Sequence, residues 1–160
     1  MKDHKIPHAR EPIGPLARGE TERPIRLLVV EDDPGICQLC AVALISSGYQ
    51  VDTAEDGSVG WEALQASNYD LLITDNAMPK MSGVELVKML RSARMTLPVV
   101  MASGTPPVEA LNGDSSLQLA ATLLKPFTMH ELLATVERVL RTAEVAPGHT
   151  VFFAAMAGAA

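Results

Sequence analysis

The sequence predicts an α/β fold in which a five-stranded parallel sheet carries helices on both faces. Five short apolar runs alternate with stretches whose apolar residues recur at helical spacing. Strands that are buried on both faces of a parallel sheet are continuous apolar runs, as these are. The alternation of strands with about five helices therefore indicates a doubly wound sheet with right-handed crossovers.

The composition is that of one globular domain. The 160 residues are 48% hydrophobic, with 13 Lys+Arg against 19 Asp+Glu. A formal charge of −6 without a basic stripe disfavours direct binding to nucleic acid. No apolar run reaches the roughly 20 residues needed to span a bilayer, and no signal peptide is recognisable, so we expect a cytoplasmic protein.

Three segments divide the chain. Residues 1–24 are rich in proline and charge, which predicts a disordered N-terminal arm. Residues 25–143 contain all the predicted strands and helices. Residues 144–160 form a flexible tail with an apolar run from Val151 to Ala160, which is either unstructured, a partner-docking element or an expression artefact. We expect no attached output domain within this chain.

The first strand and helix occupy residues 25–46. Apolar residues run from Ile25 to Val30 and stop at the acidic turn that begins with Glu31. The following helix ends at a Ser-Ser-Gly signal. Its predicted inner face consists of Ile36, Leu39, Cys40, Ala43 and Leu44.

The second strand is predicted over residues 50–54, and a helix follows the turn at Asp56 and Gly57. Ser58 is the predicted N-cap of this helix, because a hydroxyl oxygen can accept hydrogen bonds from free backbone N–H groups. The predicted inner face of the helix consists of Val59, Ala63 and Leu64.

The third strand is a buried apolar run that ends abruptly in Asp75, with turn residues and Pro79 directly after it. Ser82 and Glu85 have the spacing of a capping box. This spacing predicts an amphipathic helix that continues to about Ala93.

The last part of the core is less regular. Residues 99–102 are predicted as the fourth strand and residues 121–124 as the fifth. Prolines and an Asn-Gly pair interrupt residues 105–119, where we expect one or two short helical pieces. A second capping box at residues 128–131 predicts a final helix to about residue 143.

Polar side chains follow four of the predicted strands. They are Glu31 and Asp32 after the first strand, Asp75 on the third, Ser103 on the fourth and Lys125 on the fifth. Because ligands bind beyond the carboxyl ends of parallel strands, we expect these side chains to share one site. The alternatives are an ordinary cap or turn acceptor for Asp75, a surface lysine for Lys125 and a strand-end hydroxyl for Ser103.

These motifs resemble the response-regulator receiver domain of two-component signalling in its single-domain form. The resemblance covers residues 25–143 and rests on four separated motifs: Val29-Val30-Glu31-Asp32, Asp75 with Met78-Pro79, Ala102-Ser103 and Lys125-Pro126-Phe127. It implies the flavodoxin-like strand order 2-1-3-4-5. It also implies a cis peptide bond between Lys125 and Pro126.

The resemblance implies that Asp75 accepts a phosphoryl group and that Mg²⁺ is the cofactor. Asp32 and Asp75 would be direct metal ligands with the backbone oxygen of Ala77, and Glu31 would act through water. The carboxylates of such a pocket repel one another unless a hard cation binds between them. Mg²⁺ suits the site because this ion is held by few carboxylates and keeps several waters. Asp33, the third acid of its run, is expected to face solvent or to cap the following helix.

The resemblance implies a signalling protein and not an enzyme acting on a separate substrate. A histidine kinase or a histidine phosphotransfer protein would donate the phosphoryl group, whose transfer and later hydrolysis would be self-catalysed. Lys125 and Ser103 would each contact a phosphoryl oxygen. A downstream target protein would then bind the changed surface of a monomer or weak dimer.

Two features depart from the family pattern. Thr122 lies on strand five at the place where family members usually carry an aromatic residue. The breaks within residues 105–119 also interrupt the family's usual fourth helix. Either this surface is remodelled for a particular partner, or its switching is weak.

Three other functions compete with this interpretation. The strongest is a receiver-like interaction module that acts without phosphorylation, which Thr122 favours. A Mg²⁺-dependent phosphohydrolase with an aspartyl nucleophile would require a second acid two residues after the nucleophile, where this chain has Ala77. The Cys-x-x-Cys pair of Cys37 and Cys40 has redox spacing, but its place inside a helix favours two packed thiols.

Overall fold

The computed structural model describes residues 23–105 and 116–145 of the chain. Within these ranges the strands are β1 Arg26–Val30, β2 Gln50–Ala54, β3 Leu71–Asp75, β4 Val99–Ser103 and β5 Ala121–Leu124. The helices are α1 Pro34–Ser46, α2 Gly57–Ala66, α3 Gly83–Ser92 and α4 Met129–Val145. Most of the predicted arm and tail, and most of the irregular segment before β5, lie outside the described residues.

The five strands form one parallel sheet in the order β2-β1-β3-β4-β5, as predicted. Val30 pairs with Thr74 on β3, and Asp75 pairs with Ala102 on β4. Ser103 pairs with Leu124 on β5. This register brings the residues that follow β1, β3, β4 and β5 to a single edge of the sheet.

The core has one layer on each face of the sheet. Leu27 and Val29 of β1 pack with residues of α1 and α4, whereas Leu28 and Val30 pack with residues of α2 and α3. Alternating side chains of a strand point to opposite faces, so a strand that is covered on both faces must be apolar throughout. The central strands β3 and β4 are buried at every residue, which explains their continuous apolar runs.

Side-chain caps define the helix starts. The Asp33 carboxylate accepts hydrogen bonds from the backbone N–H of Gly35 at 2.8 Å and of Ile36 at 3.0 Å, so Asp33 caps α1. The capping box of Ser82 and Glu85 is present at α3. The reciprocal bonds between Thr128 and Glu131 are present at α4, which confirms the second predicted capping box.

Three details of the sequence prediction are wrong. The N-cap of α2 is Asp56, whose carboxylate accepts from the Val59 N–H at 2.9 Å, and Ser58 is an exposed residue inside the helix. Val59 is exposed because Gly60 takes the inner position. Leu39 is also exposed, because α1 turns Cys40 and Leu44 towards the sheet instead.

None of the helices in the described ranges is both long enough and apolar enough to cross a bilayer.

Candidate functional site

Three carboxylates meet at the carboxyl edge of the sheet. Glu31 and Asp75 are buried, and Asp32 is exposed. One carboxylate oxygen from each of the three lies within 4.8 Å of those of the other two. We call these three residues the acidic cluster. Its members come from the loop after β1 and the end of β3, because β1 and β3 are neighbours in register.

Lys125 lies beside the acidic cluster. Its ammonium group is 2.8 Å from a carboxylate oxygen of Glu31 and 3.3 Å from one of Asp75. The Lys125–Pro126 peptide bond is cis, as the resemblance implied. Burial alone would lower the pKa of Lys125, but the hydrogen bond to Glu31 and the charges of Asp75 and Glu31 raise it. Lys125 is therefore a firmly protonated cation.

At Glu31, unlike at Lys125, the effect of burial on the pKa outweighs the effect of the hydrogen bonds. Burial raises the pKa of its carboxyl, and the nearby charge of Asp75 raises it further. The hydrogen bonds from Lys125 and from the backbone N–H of Asp33 lower it, although they offset only part of the rise. The Lys125 ammonium group therefore offsets part of the repulsion between the Glu31 and Asp75 carboxylates.

Ser103 occupies the end of β4, next to Lys125. It is buried, and its carbonyl oxygen accepts a hydrogen bond from the backbone N–H of Lys125 at 2.8 Å. This bond ties the ends of β4 and β5 together. All five predicted strand-end residues therefore lie at one edge of the sheet.

The loop between β3 and α3 is anchored at Asn76, which the sequence interpretation missed. Its backbone oxygen accepts from Gly83 N–H at 3.0 Å, and its side-chain oxygen accepts from Val84 N–H at 3.1 Å. A Cβ on Gly83 would lie only 2.2 Å from the backbone oxygen of Asp75. The Asp-Asn pair at the end of a strand and the glycine just inside a capping box were the available signals. Ala77 lies in this loop and is exposed.

A second missed contact joins the loop after β2 to the loop after β3. The Lys80 ammonium group lies 3.0 Å from the Asp56 carboxylate, which also caps α2. The Val59 N–H and then Lys80 hold the pKa of Asp56 below its usual value. Lys80 has a φ of 68°, so the backbone adopts a left-handed conformation at the point where this ion pair forms.

The two cysteines are packed thiols. Burial raises the pKa of Cys40 to about 11 and also raises the pKa of Cys37. Redox-active thiols have lowered pKa values and partial exposure, which is the reverse of this environment. The structure thus agrees with the packed-thiol interpretation.

The edge strand β5 has one covered face and one open face. Leu123 is buried on the face of the sheet that α4 covers, whereas Thr122 and Leu124 are exposed. Thr122, at the position where family members carry an aromatic residue, is therefore exposed in the part of the chain that the structure describes. The segment expected to form the intervening helix falls mostly at 106–115, outside the described residues.

A parallel sheet in this order, with carboxylates and a lysine at one edge, has the architecture of a signalling receiver domain. The sequence profile of the response regulator receiver domain matches residues 27–137, and the chain belongs to this family. Its members are signalling proteins of two-component systems.

Individual relatives agree with this assignment. The transcriptional regulatory protein CusR of Escherichia coli is 34% identical over 119 residues, which are 73% of this chain and 52% of CusR. The chain thus spans about half the length of this relative. The chemotaxis protein CheY4 of Vibrio cholerae has 31% identity and a TM-score of 0.68, over 73% of this chain and 99% of CheY4.

One solved relative contains a metal complex. The response regulator TrrA of Thermotoga maritima, solved in complex with Mg²⁺-BeF, has 30% identity and a TM-score of 0.64. The match covers 72% of this chain and 98% of TrrA. The acidic cluster of this chain offers carboxylate oxygens, which are the ligands that Mg²⁺ takes in proteins.

Proposed function

We propose that residues 25–143 are a phosphoacceptor receiver unit in which Asp75 takes a phosphoryl group from a histidine kinase or a histidine phosphotransfer protein. The observation that carries the proposal is the position of the Lys125 ammonium group, 3.3 Å from Asp75 and beside two further carboxylates. An aspartate can accept a phosphoryl group only where cations offset the repulsion between the two. We infer that the unit works in the cytoplasm.

The donor set fits Mg²⁺. Asp32 and Asp75 would hold it directly with the backbone oxygen of Ala77, and Glu31 would act through a water. Only Asp32 and Ala77 are exposed, which leaves the cluster open on one side. When bound, Mg²⁺ neutralises negative charge shared between the carboxylates and the phosphoryl oxygens.

The proposed transfer forms one bond and breaks one. A carboxylate oxygen of Asp75 attacks the phosphorus of a phosphohistidine, the P–N bond breaks, and its electron pair returns to the imidazole nitrogen. The product is an acyl phosphate on Asp75. Attack of water on the phosphorus later releases inorganic phosphate and restores the carboxylate.

Lys125 and Ser103 have separate parts in this proposal. Lys125 pairs with a phosphoryl oxygen as a point charge, which requires it to loosen its bond to Glu31. Ser103 donates its hydroxyl to another phosphoryl oxygen and draws the end of β4 inwards. This displacement shifts the equilibrium between two conformations of the surface at β4 and β5. A downstream target protein binds this surface.

A second candidate function is a receiver-like module that binds partners without phosphorylation. The specific observation in its favour is Thr122, which leaves no aromatic side chain at the family's switch position on β5. The complete set of Asp75, Asp32, Ser103 and Lys125 favours phosphorylation instead.

Intact mass after incubation with Mg²⁺ and acetyl phosphate distinguishes the two. We expect the wild-type chain to gain one phosphoryl group, and we expect Asp75→Asn or added EDTA to abolish the gain. Asp33→Asn is the matched control, because Asp33 caps α1 outside the acidic cluster and asparagine can also cap a helix. A wild-type chain that stays unmodified would favour the phosphorylation-independent module.

A further inference from the structure

A cavity lies at the edge of the sheet opposite the acidic cluster. It has a volume of about 440 Å³ and opens where β4 and β5 begin, between the last turns of α3 and α4. We call it the amino-edge cavity. Cavities of roughly 300–1,000 Å³ hold small organic ligands. Because β4 is five residues long, roughly 17 Å separate this cavity from the end of the strand at Ser103.

One part of the amino-edge cavity is apolar. Pro98 comes just before β4 and Ala120 just before β5, and both line the cavity. Val139 and Ala143 line it from α4. An apolar group placed against these side chains would be removed from water, which favours binding.

The other part of the amino-edge cavity is positively charged. The side chains of Arg91 and Arg138 line it, and none of the described residues around it is Asp or Glu. The whole chain has a formal charge of −6, so this pair of cations has the opposite sign to the protein that carries it. A guanidinium group binds carboxylates through its planar set of donors. The cavity therefore favours an anion that also has an apolar part.

Arg91 has one N–H left for a ligand. A guanidinium group has five N–H donors. Four of those of Arg91 bind the backbone oxygens of Met95, Leu97, Leu117 and Gln118. The fifth, on Nη2, has no partner within the described ranges. Since the four bonds already fix the guanidinium group, a ligand would not have to order it.

Arg138 is also available for an anion. Its side chain is exposed on α4, and its guanidinium group has no hydrogen bond or salt bridge to any other described residue. Arg141 lies three residues further along the same helix and is paired with Glu137. The arginine that lines the cavity is thus unpaired in the described structure, and its neighbour outside the cavity is not.

We propose that the amino-edge cavity binds a small monocarboxylate with an aromatic or branched apolar body. The carboxylate pairs with Arg138 and with the free N–H of Arg91, and the body lies against Val139 and its apolar neighbours. One negative charge fits, because four carbonyl oxygens already surround the other guanidinium group. A phosphate ester carries more charge than one open guanidinium group offsets. The site does not involve Asp75, so this inference stands apart from the proposed function.

The test is a titration of the full, ¹⁵N-labelled chain, followed by amide chemical shifts. The probe is 2-naphthoate, and 2-naphthamide is the neutral ligand of the same shape. We expect 2-naphthoate to shift the amide signals of Gln118, Ala120 and Ala143. It should bind about three- to fivefold more tightly than 2-naphthamide, because only the acid pairs with a guanidinium group.

Two variants separate the charged part of the cavity from the apolar part. Arg138→Gln should weaken 2-naphthoate binding by about three- to fivefold and leave 2-naphthamide binding unchanged. Ala120→Leu fills the apolar part, so it should weaken the binding of both ligands. Arg141→Gln is the matched control, because this exposed arginine is on the same helix but does not line the cavity. It should bind both ligands as the wild type does.

Several results would overturn the proposal, provided that a dispersed amide spectrum shows each variant to be folded. One is a set of shifts centred on the exposed residues Leu39, Val42 and Ile45 of α1 instead of the cavity. Equal affinities for the acid and the amide would be another, as would equal losses in Arg138→Gln and Arg141→Gln. Binding that weakens as the protein concentration rises would indicate that a second copy occupies the cavity, and it would also contradict a small-molecule site.

Discussion

Lys125 lies closer to Glu31, at 2.8 Å, than to Asp75, at 3.3 Å. Both carboxylates are buried and the lysine is half-buried, so the three charges lie in a partly desolvated environment. Lys125 therefore acts as the counter-ion of the acidic cluster. Any metal ion that binds these carboxylates acts on the same charges.

Lys125→Met removes this counter-ion, and we expect it to lower the free energy of unfolding in EDTA by about 1–3 kcal/mol. The loss is large because two buried carboxylates are then left without a cation. Saturating Mg²⁺ should restore part of the lost stability, since it supplies positive charge to the same oxygens. Urea unfolding with and without Mg²⁺ measures both effects.

The control for this variant is Lys88→Met, which removes an exposed lysine on α3. Its unfolding free energy should stay within about 0.5 kcal/mol of wild type. Equal stability of Lys125→Met and Lys88→Met in EDTA would contradict the counter-ion role.

Gly83→Ala should disrupt the loop that follows Asp75. The new Cβ would lie 2.2 Å from the Asp75 backbone oxygen and 3.0 Å from the Asn76 Cα, and backbone atoms cannot rotate away. We expect a loss of at least about 2 kcal/mol in unfolding free energy. Phosphorylation by acetyl phosphate should fall with it, because Asp75 and Ala77 flank the displaced backbone.

Gly104→Ala is the matched change at another strand end. A Cβ on Gly104 meets no atom within 4 Å, so its stability and phosphorylation should be close to wild type. If both alanine variants behaved alike, the close approach at Gly83 would not be the reason for its glycine.

Local patterns were enough to predict most of the fold. The sequence predicts β3 as a buried strand and β4 as a strand, and both are buried at every residue. The capping boxes predicted the starts of α3 and α4 because they depend only on residues three positions apart. The proximity of Glu31, Asp75 and Lys125 followed from the rule that parallel strands end at one edge. The strand order came from the family resemblance.

Contacts between separate loops could not be predicted in the same way. The Asp56–Lys80 pair joins residues that are 24 positions apart, and no local motif links them. Asp56 and Ser58 both have side chains that can cap a helix, and only the extended backbone at Asp56 makes it the N-cap of α2 in place of the predicted Ser58. The helical spacing of Leu39 predicts a place on the inner face of α1. Because Cys40 and Leu44 pack against the core, Leu39 faces outwards and is exposed.

The Asp56 carboxylate should make stability depend on pH. Its pKa is held below the ordinary value of 3.8, chiefly by the Val59 N–H and then by Lys80. A carboxyl with a lowered folded-state pKa contributes stability above its unfolded pKa and loses it as the pH falls through the folded pKa. Asp56→Asn should thus be less stable than wild type at pH 7, and the difference should shrink below about pH 4.

Urea unfolding at a series of pH values from 7 downwards measures this difference. Lys80→Met should show a smaller loss with the same trend, because it removes the ion pair but leaves the cap. Glu55→Gln, which changes the neighbouring exposed acid, should show no such trend. A stability gap for Asp56→Asn that is constant with pH would argue against the ionised carboxylate as its cause.

Arg91 of α3 connects the end of its own helix to the segment before β5. Its guanidinium group donates to four backbone oxygens, those of Met95, Leu97, Leu117 and Gln118, at 2.8–3.0 Å. Burial lowers the pKa of Arg91, and the four carbonyls satisfy the donors that burial removes from water.

Arg91→Lys keeps the charge but cannot reproduce this fork of donors, because an ammonium group carries its three protons on one atom. The carbonyls left without partners should lower the unfolding free energy by about 1–3 kcal/mol. Hydrogen exchange should rise in the peptide that contains Leu117 and Gln118, since Arg91 ties it to α3. Arg94→Lys, at an exposed residue of the same turn, should change neither quantity. Similar losses in the two lysine variants would show that charge, and not the guanidinium geometry, is what matters at Arg91.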